Sequence, residues 1–197
     1  MSKTQDFEQQ DKEYIANTYG RFNVCFEKGK GSLLWDVEGK EYIDLGSGIG
    51  VTAFGVDDDE WSKAVIAQTH ALNHISNLYY SVPQIKLAEM LCKRTGMKKV
   101  FFCNSGAESN ECAIKAARKY SHDKYGNGRN VIVTLVNSFH GRTVTTLSAT
   151  GQDVFHQHFF PFTEGFVHTP ANDIDAALKV LANPAVCAIM MLSLIHI

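Results

Sequence analysis

The chain has 197 residues, 45% of them hydrophobic and 20% charged, the composition of an ordinary globular protein, which excludes a predominantly disordered one. Its formal net charge of −2, without a basic run, excludes the electrostatic footprint of a nucleic-acid groove or an anionic-membrane surface. Cys25, Cys92, Cys103, Cys112 and Cys187 show no C-x-x-C pairing, and the polar start carries no signal-peptide or membrane-span pattern, so a reduced, cytoplasmic protein with small-molecule or protein partners is expected.

Residues 5–19 read as a polar, partly helical lead-in. Residues 22–26, 33–36 and 42–45 alternate like strands, and the breaks Gly29-Lys30-Gly31 and Glu38-Gly39-Lys40 make them an antiparallel meander. The glycines of Gly46-Ser47-Gly48-Ile49-Gly50 do not have the spacing of a dinucleotide fingerprint, and a meander rather than a βαβ strand precedes them. Asp57-Asp58-Asp59-Glu60 then opens a helix whose Trp61, Ala64, Val65, Leu72 and Ile75 recur at helical spacing. Negative charge there complements the helix dipole, and a metal site is the weaker alternative. His70 and His74 are four apart, but no glutamate follows His70 as in the zinc motif H-E-x-x-H. Pro83 suits the first position of a further helix, with Leu87, Ala88 and Leu91 as its buried stripe and Gly96 as its stop.

Residues 98–103 are expected to form a short strand that passes through the tight turn Asn104-Ser105-Gly106-Ala107 into a helix reaching residue 120. Such a turn aims backbone N–H groups and the positive helix end at one place, which suits a phosphate. Ser105-Gly106-Ala107-Glu108 is equally an S-x-x-E capping box, which needs no ligand. Capping leaves the two small residues unexplained, and also the polar run Ser109-Asn110-Glu111, where an apolar stripe would ordinarily begin. The β-branched run 131–136 predicts a strand covered on both faces, followed by a helix at 173–181 and a strand at 185–191. Strands alternating with helices from about residue 57 predict an α/β layered domain.

Ligands of such sheets sit outside the carboxyl ends of the strands. The loop after 131–136, Asn137-Ser138-Phe139-His140-Gly141-Arg142-Thr143, offers an aromatic ring, an imidazole and a guanidinium beside the Gly106–Ala107 turn. A phosphate cradle, a ring face and a carboxylate-binding arginine together suit an aromatic phosphorylated cofactor and an amino-acid substrate. His140 reads equally well as a strand-end histidine satisfied by backbone, and Arg142 has the alternative of a surface ion pair. His156 and His158, among Phe155, Phe159 and Phe160, read as packing residues. No G-x-S-x-G or Walker pattern occurs.

The segments 101–111 and 138–143 resemble the class III aminotransferases, pyridoxal 5'-phosphate enzymes of fold type I. Leu34-Trp35-Asp36, Gly39-Lys40-Glu41-Tyr42, Ser76-Asn77-Leu78-Tyr79-Tyr80 and Leu147-Ser148-Ala149-Thr150-Gly151 extend the likeness over residues 20–191. The resemblance implies an N-terminal antiparallel segment of the small domain, residues 1–56, then the first part of the large three-layer α/β/α domain, residues 57–191. Ser105, Gly106 and Ala107 would hold the cofactor phosphate, Phe139 would stack on the pyridine ring with His140 beside it, and Arg142 would bind the substrate carboxylate. The branch most resembled takes its amino group from N2-acetylornithine and gives it to 2-oxoglutarate, in arginine biosynthesis, as a homodimer. Ornithine, succinylornithine and 4-aminobutyrate are the alternative donors, and a non-catalytic module holding a phosphorylated ligand is the alternative of another class.

The sequence departs from the family in two places. Gly55-Val56-Asp57-Asp58-Asp59 lacks the histidines and proline of a G-H-x-H-P-like segment, a variation at a helix start. Residues 192–197 stand where the family continues with a glutamate and a glycine-rich loop. They are what the adapter string CTG TCT CTT ATA CAC ATC encodes, and are expected to be a non-native tail. The resemblance implies that the Schiff-base lysine lies beyond residue 197, so these residues alone are expected to be inactive; Lys63, Lys86, Lys93, Lys115, Lys119 and Lys179 sit at no plausible strand end and read as solvated helix faces.

Overall fold

A computed structural model describes residues 2–192, so most of the expected tail, 193–197, lies outside the described residues. The chain divides into two compact units, Met1–Pro83 and Gln84–Ile197.

In the first unit, helix α1 (Lys3–Tyr14) starts at a capping box, Ser2 taking the Gln5 N–H while the Gln5 side chain takes the Ser2 N–H. The meander follows as β1 (Phe26–Lys30), β2 (Leu33–Asp36) and β3 (Glu41–Ile43), antiparallel in the order β1-β2-β3. The first strand therefore lies later than the expected 22–26. Gly29 and Lys30, read as turn residues, pair with Leu34 and Leu33, and the reversal falls at Gly31 and Ser32. Gly29 suits the inside of the strand, because a Cβ there would sit 2.7 Å from Leu34 Cδ2, 2.9 Å from Val56 Cγ1 and 3.0 Å from the Leu33 carbonyl oxygen and would make them shift.

Asp36 fixes the second turn. Its carboxylate accepts from the N–H groups of Glu38 and Lys40 and from the Tyr42 hydroxyl. Burial alone would raise its pKa, but these bonds and the Lys40 charge hold it below the usual carboxylate value. Beyond a left-handed turn at Ser47–Gly50, Asp58 caps helix α2 (Asp59–Leu72) through the Trp61 N–H at 2.8 Å. Asp57 and Asp59 instead clamp the Lys30 ammonium, which accounts for the acidic run without a metal.

Helix α3 (Val82–Thr95) spans the boundary between the units. Both helices stand where their periodicity predicts, but neither buries a residue: Trp61 is 57% and Leu87 46% exposed. The expected apolar stripes exist, but Trp61 and Leu87 stay exposed while Ala88 and Leu91 are only half-buried.

The second unit is built on a parallel sheet of β4 (Val131–Leu135), β5 (Phe166–Thr169) and β6 (Val186–Ile189), in the order β5-β4-β6. The central β4 is covered on both faces, as its β-branched run predicts, with Ile132, Val133 and Thr134 at 1% exposure or less. Helix α4 (Gly106–Tyr125) packs on β6 and on α5 (Val144–Ala149), and both α5 and α6 (Ile174–Leu181) pack on β5. Ile114 of α4 and Leu147 and Ala149 of α5 complete a small core with the sheet.

Residues 98–103 do not form the expected strand. A strand exists through its ladder, and no described residue pairs with this segment, which runs as irregular chain into α4. Conversely, β5 and α5 formed where no element was expected. Within the described residues no helix is long and apolar enough to cross a membrane.

Candidate active site

The start of α4 realises the capping box. Ser105 Oγ accepts from the Glu108 N–H at 3.2 Å, and the Glu108 carboxylate turns back to accept from the Asn104 N–H at 2.6 Å. Capping therefore occupies the Ser105 side chain but leaves the N–H groups of Gly106 and Ala107 without a partner among the described residues. A Cβ at Gly106 would meet nothing within 4 Å, so the helix start is uncrowded at this position. The helix behind them is 20 residues long, and its macrodipole places about half a positive charge at that end.

The loop after β4 is tied down at each end. Ser138, 2% exposed, accepts from the Gly151 N–H through Oγ and from Gln152 Nε2 through its carbonyl. At the far end Thr143 caps α5 by accepting from the Thr146 N–H. Between them, the Thr150 hydroxyl accepts from the His140 N–H at 2.9 Å and itself donates to the Thr146 carbonyl.

The loop also meets the start of α4, the juxtaposition that the sequence pattern suggested. Gly141 lies so near α4 that a Cβ on it would be 2.8 Å from Ala107 Cβ. Asn110 Nδ2 donates to the His140 carbonyl at 2.6 Å, and the Thr143 hydroxyl donates to Glu111 Oε1. Phe139 is half-buried and meets Phe155 edge-on at 6.2 Å, while the exposed Arg142 lays its guanidinium over the Phe155 ring at 5.0 Å. An aromatic ring and a guanidinium fork are thus held on one short loop against the helix that presents the free N–H groups.

His140 is placed differently from its neighbours. Its ring is 1% exposed, and neither ring nitrogen has a partner among the described residues, so it is the backbone of His140 that joins the network. Burial, and secondarily His168, push its pKa below the ordinary value, and burial also lowers that of His168. Both imidazoles are therefore neutral at neutral pH.

Sequence reasoning passed over Asn110, Glu111, Gly141, Thr150 and Phe155. The signal for the first two was the unexplained polar opening of α4, and for Phe155 the aromatic cluster assigned to packing. Gly141 and Thr150 gave no local signal, because their roles depend on contacts with other segments.

The sequence pattern of the family described as Aminotransferase class-III matches residues 14–194. Acetylornithine aminotransferase from Haemophilus ducreyi is 55% identical over 93% of this chain and 47% of its own length. The crystal structure of ornithine aminotransferase from Toxoplasma gondii matches with a TM-score of 0.91 at 26% identity, over 97% of this chain and 46% of that one. A second structure of that enzyme, with pyridoxal phosphate partially occupying its active site, matches with a TM-score of 0.89 at 27% identity, over 95% of this chain and 44% of that one. The chain spans about half the length of the curated relatives it matches.

Proposed function

We propose, from the premise that this chain belongs to the class-III aminotransferases, that it supplies the phosphate-binding and ring-stacking part of an acetylornithine aminotransferase site. The full-length protein would move the terminal amino group of N2-acetylornithine to 2-oxoglutarate. The observation that carries this reading is the pair of free N–H groups at Gly106 and Ala107 with the Phe139–Arg142 loop fastened against the same helix.

The residues present fit pyridoxal phosphate, the cofactor of this family: two unpartnered N–H donors at a helix start for its phosphate, and a half-buried aromatic face for its ring. When bound, the cofactor supplies the carbonyl that takes up the amino group and the electron sink that acidifies the neighbouring C–H. Gly106 and Ala107 donate to the phosphate in charge-assisted bonds of about 1.5–3 kcal/mol each. Phe139 keeps water from one ring face, and its own position is fixed by Phe155.

Arg142 binds the carboxylate. In N2-acetylornithine the α-nitrogen is an amide, so only the terminal amine can transfer, and the carboxylate lies at the far end of the molecule. A planar fork on an exposed arm suits that remote group, and 2-oxoglutarate has a second carboxylate that can take the same place. The Schiff-base lysine is read as lying outside these residues, so the activity proposed is that of the full-length protein. A homodimer is part of the proposal by family, and a cytoplasmic location accords with five free cysteines.

The test is a transamination assay of the full-length protein with 2-oxoglutarate and four donors: acetylornithine, succinylornithine, ornithine and 4-aminobutyrate. The highest kcat/KM is expected with acetylornithine. A preference for another donor replaces the substrate, and absence of turnover with all four rejects transamination.

A further inference from the structure

The polar opening of α4 is still unaccounted for by capping or by the cradle. Asn110 and Glu111 follow Gly106 and Ala107 at a spacing of four residues, so they lie one turn, about 5.4 Å, further along on the same side of the helix. From there each reaches the loop that carries Phe139 and Arg142. Asn110 Nδ2 meets the His140 carbonyl at 2.6 Å, and since a carbonyl only accepts, the Asn110 amide must present its nitrogen. Glu111 Oε1 meets the Thr143 hydroxyl, and a carboxylate only accepts, so Thr143 must give it its proton. The lone pairs of that hydroxyl then face the Thr146 N–H and the Thr146 hydroxyl, which sets the start of α5.

The two anchors bracket Gly141 and Arg142. An apolar pair at the same positions would pack, but would leave the loop free to slide along the helix; two directional bonds fix its register. We infer that Asn110 and Glu111 are positioning residues, which hold the ring-stacking and carboxylate-binding loop in register with the phosphate cradle one turn away. The inference rests on the cofactor reading above. Neither side chain touches cofactor or substrate in this scheme, and both act through the backbone of His140 and the hydroxyl of Thr143.

The test uses the full-length protein titrated with pyridoxal phosphate, read by cofactor affinity, by the visible circular dichroism of the bound cofactor, and by KM and kcat for the amino donor. Asn110→Asp keeps the shape but removes the donor, and Glu111→Ala removes the acceptor. Each is expected to weaken cofactor binding and raise donor KM about tenfold, with altered dichroism, the scale of one lost hydrogen bond. Glu111→Gln, whose amide oxygen still accepts from Thr143, is expected to restore both. Unchanged dichroism and affinity in Asn110→Asp and Glu111→Ala would overturn the inference, even with a lowered melting temperature, since the role would then be structural only. So would a Glu111→Gln variant as impaired as Glu111→Ala. Should either of the first two fail to fold, Asn110→Ser and Glu111→Asp, both too short to span the same gaps, are read by the same criteria. A wild-type protein that binds no pyridoxal phosphate would defeat the cofactor reading rather than this inference.

Discussion

Replacing Gly141 with alanine is expected to weaken pyridoxal phosphate binding by roughly 5- to 150-fold, the equivalent of about 1–3 kcal/mol of overpacking. Gly141 has a φ of +127°, outside the range that L-residues adopt without strain. A Cβ there would also lie 2.7 Å from Thr146 Oγ1, 2.8 Å from Ala107 Cβ and 3.1 Å from Ala107 Cα. Thr146 is fully buried and Ala107 belongs to the first turn of α4, so neither can yield without moving α5 or the cradle. The easier response is for the loop to lift, carrying Phe139 and Arg142 away from Ala107. A cofactor titration measures the loss. Gly141→Ala with wild-type affinity would mean that the close approach of loop and helix does not serve the site.

Arg142→Ala is expected to raise KM for both acetylornithine and 2-oxoglutarate by roughly 10- to 150-fold, from the loss of about 1.5–3 kcal/mol of charge-assisted hydrogen bonding. Folding should change little, because the side chain is exposed. Arg142→Lys should recover only part of the loss, since an ammonium cannot make two parallel bonds to one carboxylate. Steady-state kinetics with each substrate varied in turn decides. An unchanged KM for both would remove the arginine from substrate binding.

What could be read from the sequence was local. The S-x-x-E box at Ser105–Glu108 depends on residues within a single helical turn, and it formed as read. The β-branched run of β4 likewise announced its burial on both faces. Residues 98–103 have the composition of a strand, yet a strand is completed by a neighbour, and that is a property of other segments.

The stretch Val144–Ala149 shows the opposite failure. Rich in β-branched residues, it is helical because Thr143 caps it and because Thr146, Leu147, Ser148 and Ala149 are buried, so tertiary packing outweighs propensity. At the site, the residue types of Phe139, Arg142, Gly106 and Ala107 suggested a chemistry, the one proposed above. The supports beneath them, Asn110, Glu111, Gly141 and Thr150, took on meaning only when α4 and the loop were seen side by side.

The central claim, that the Gly106 and Ala107 N–H groups form a phosphate cradle, is tested most directly by comparing pyridoxal phosphate with pyridoxal in binding to the full-length protein. The two ligands share the ring and the aldehyde and differ only in the group the cradle would hold. Two charge-assisted bonds predict a preference of at least about 100-fold for the phosphorylated form. Equal affinity for the two would contradict the account.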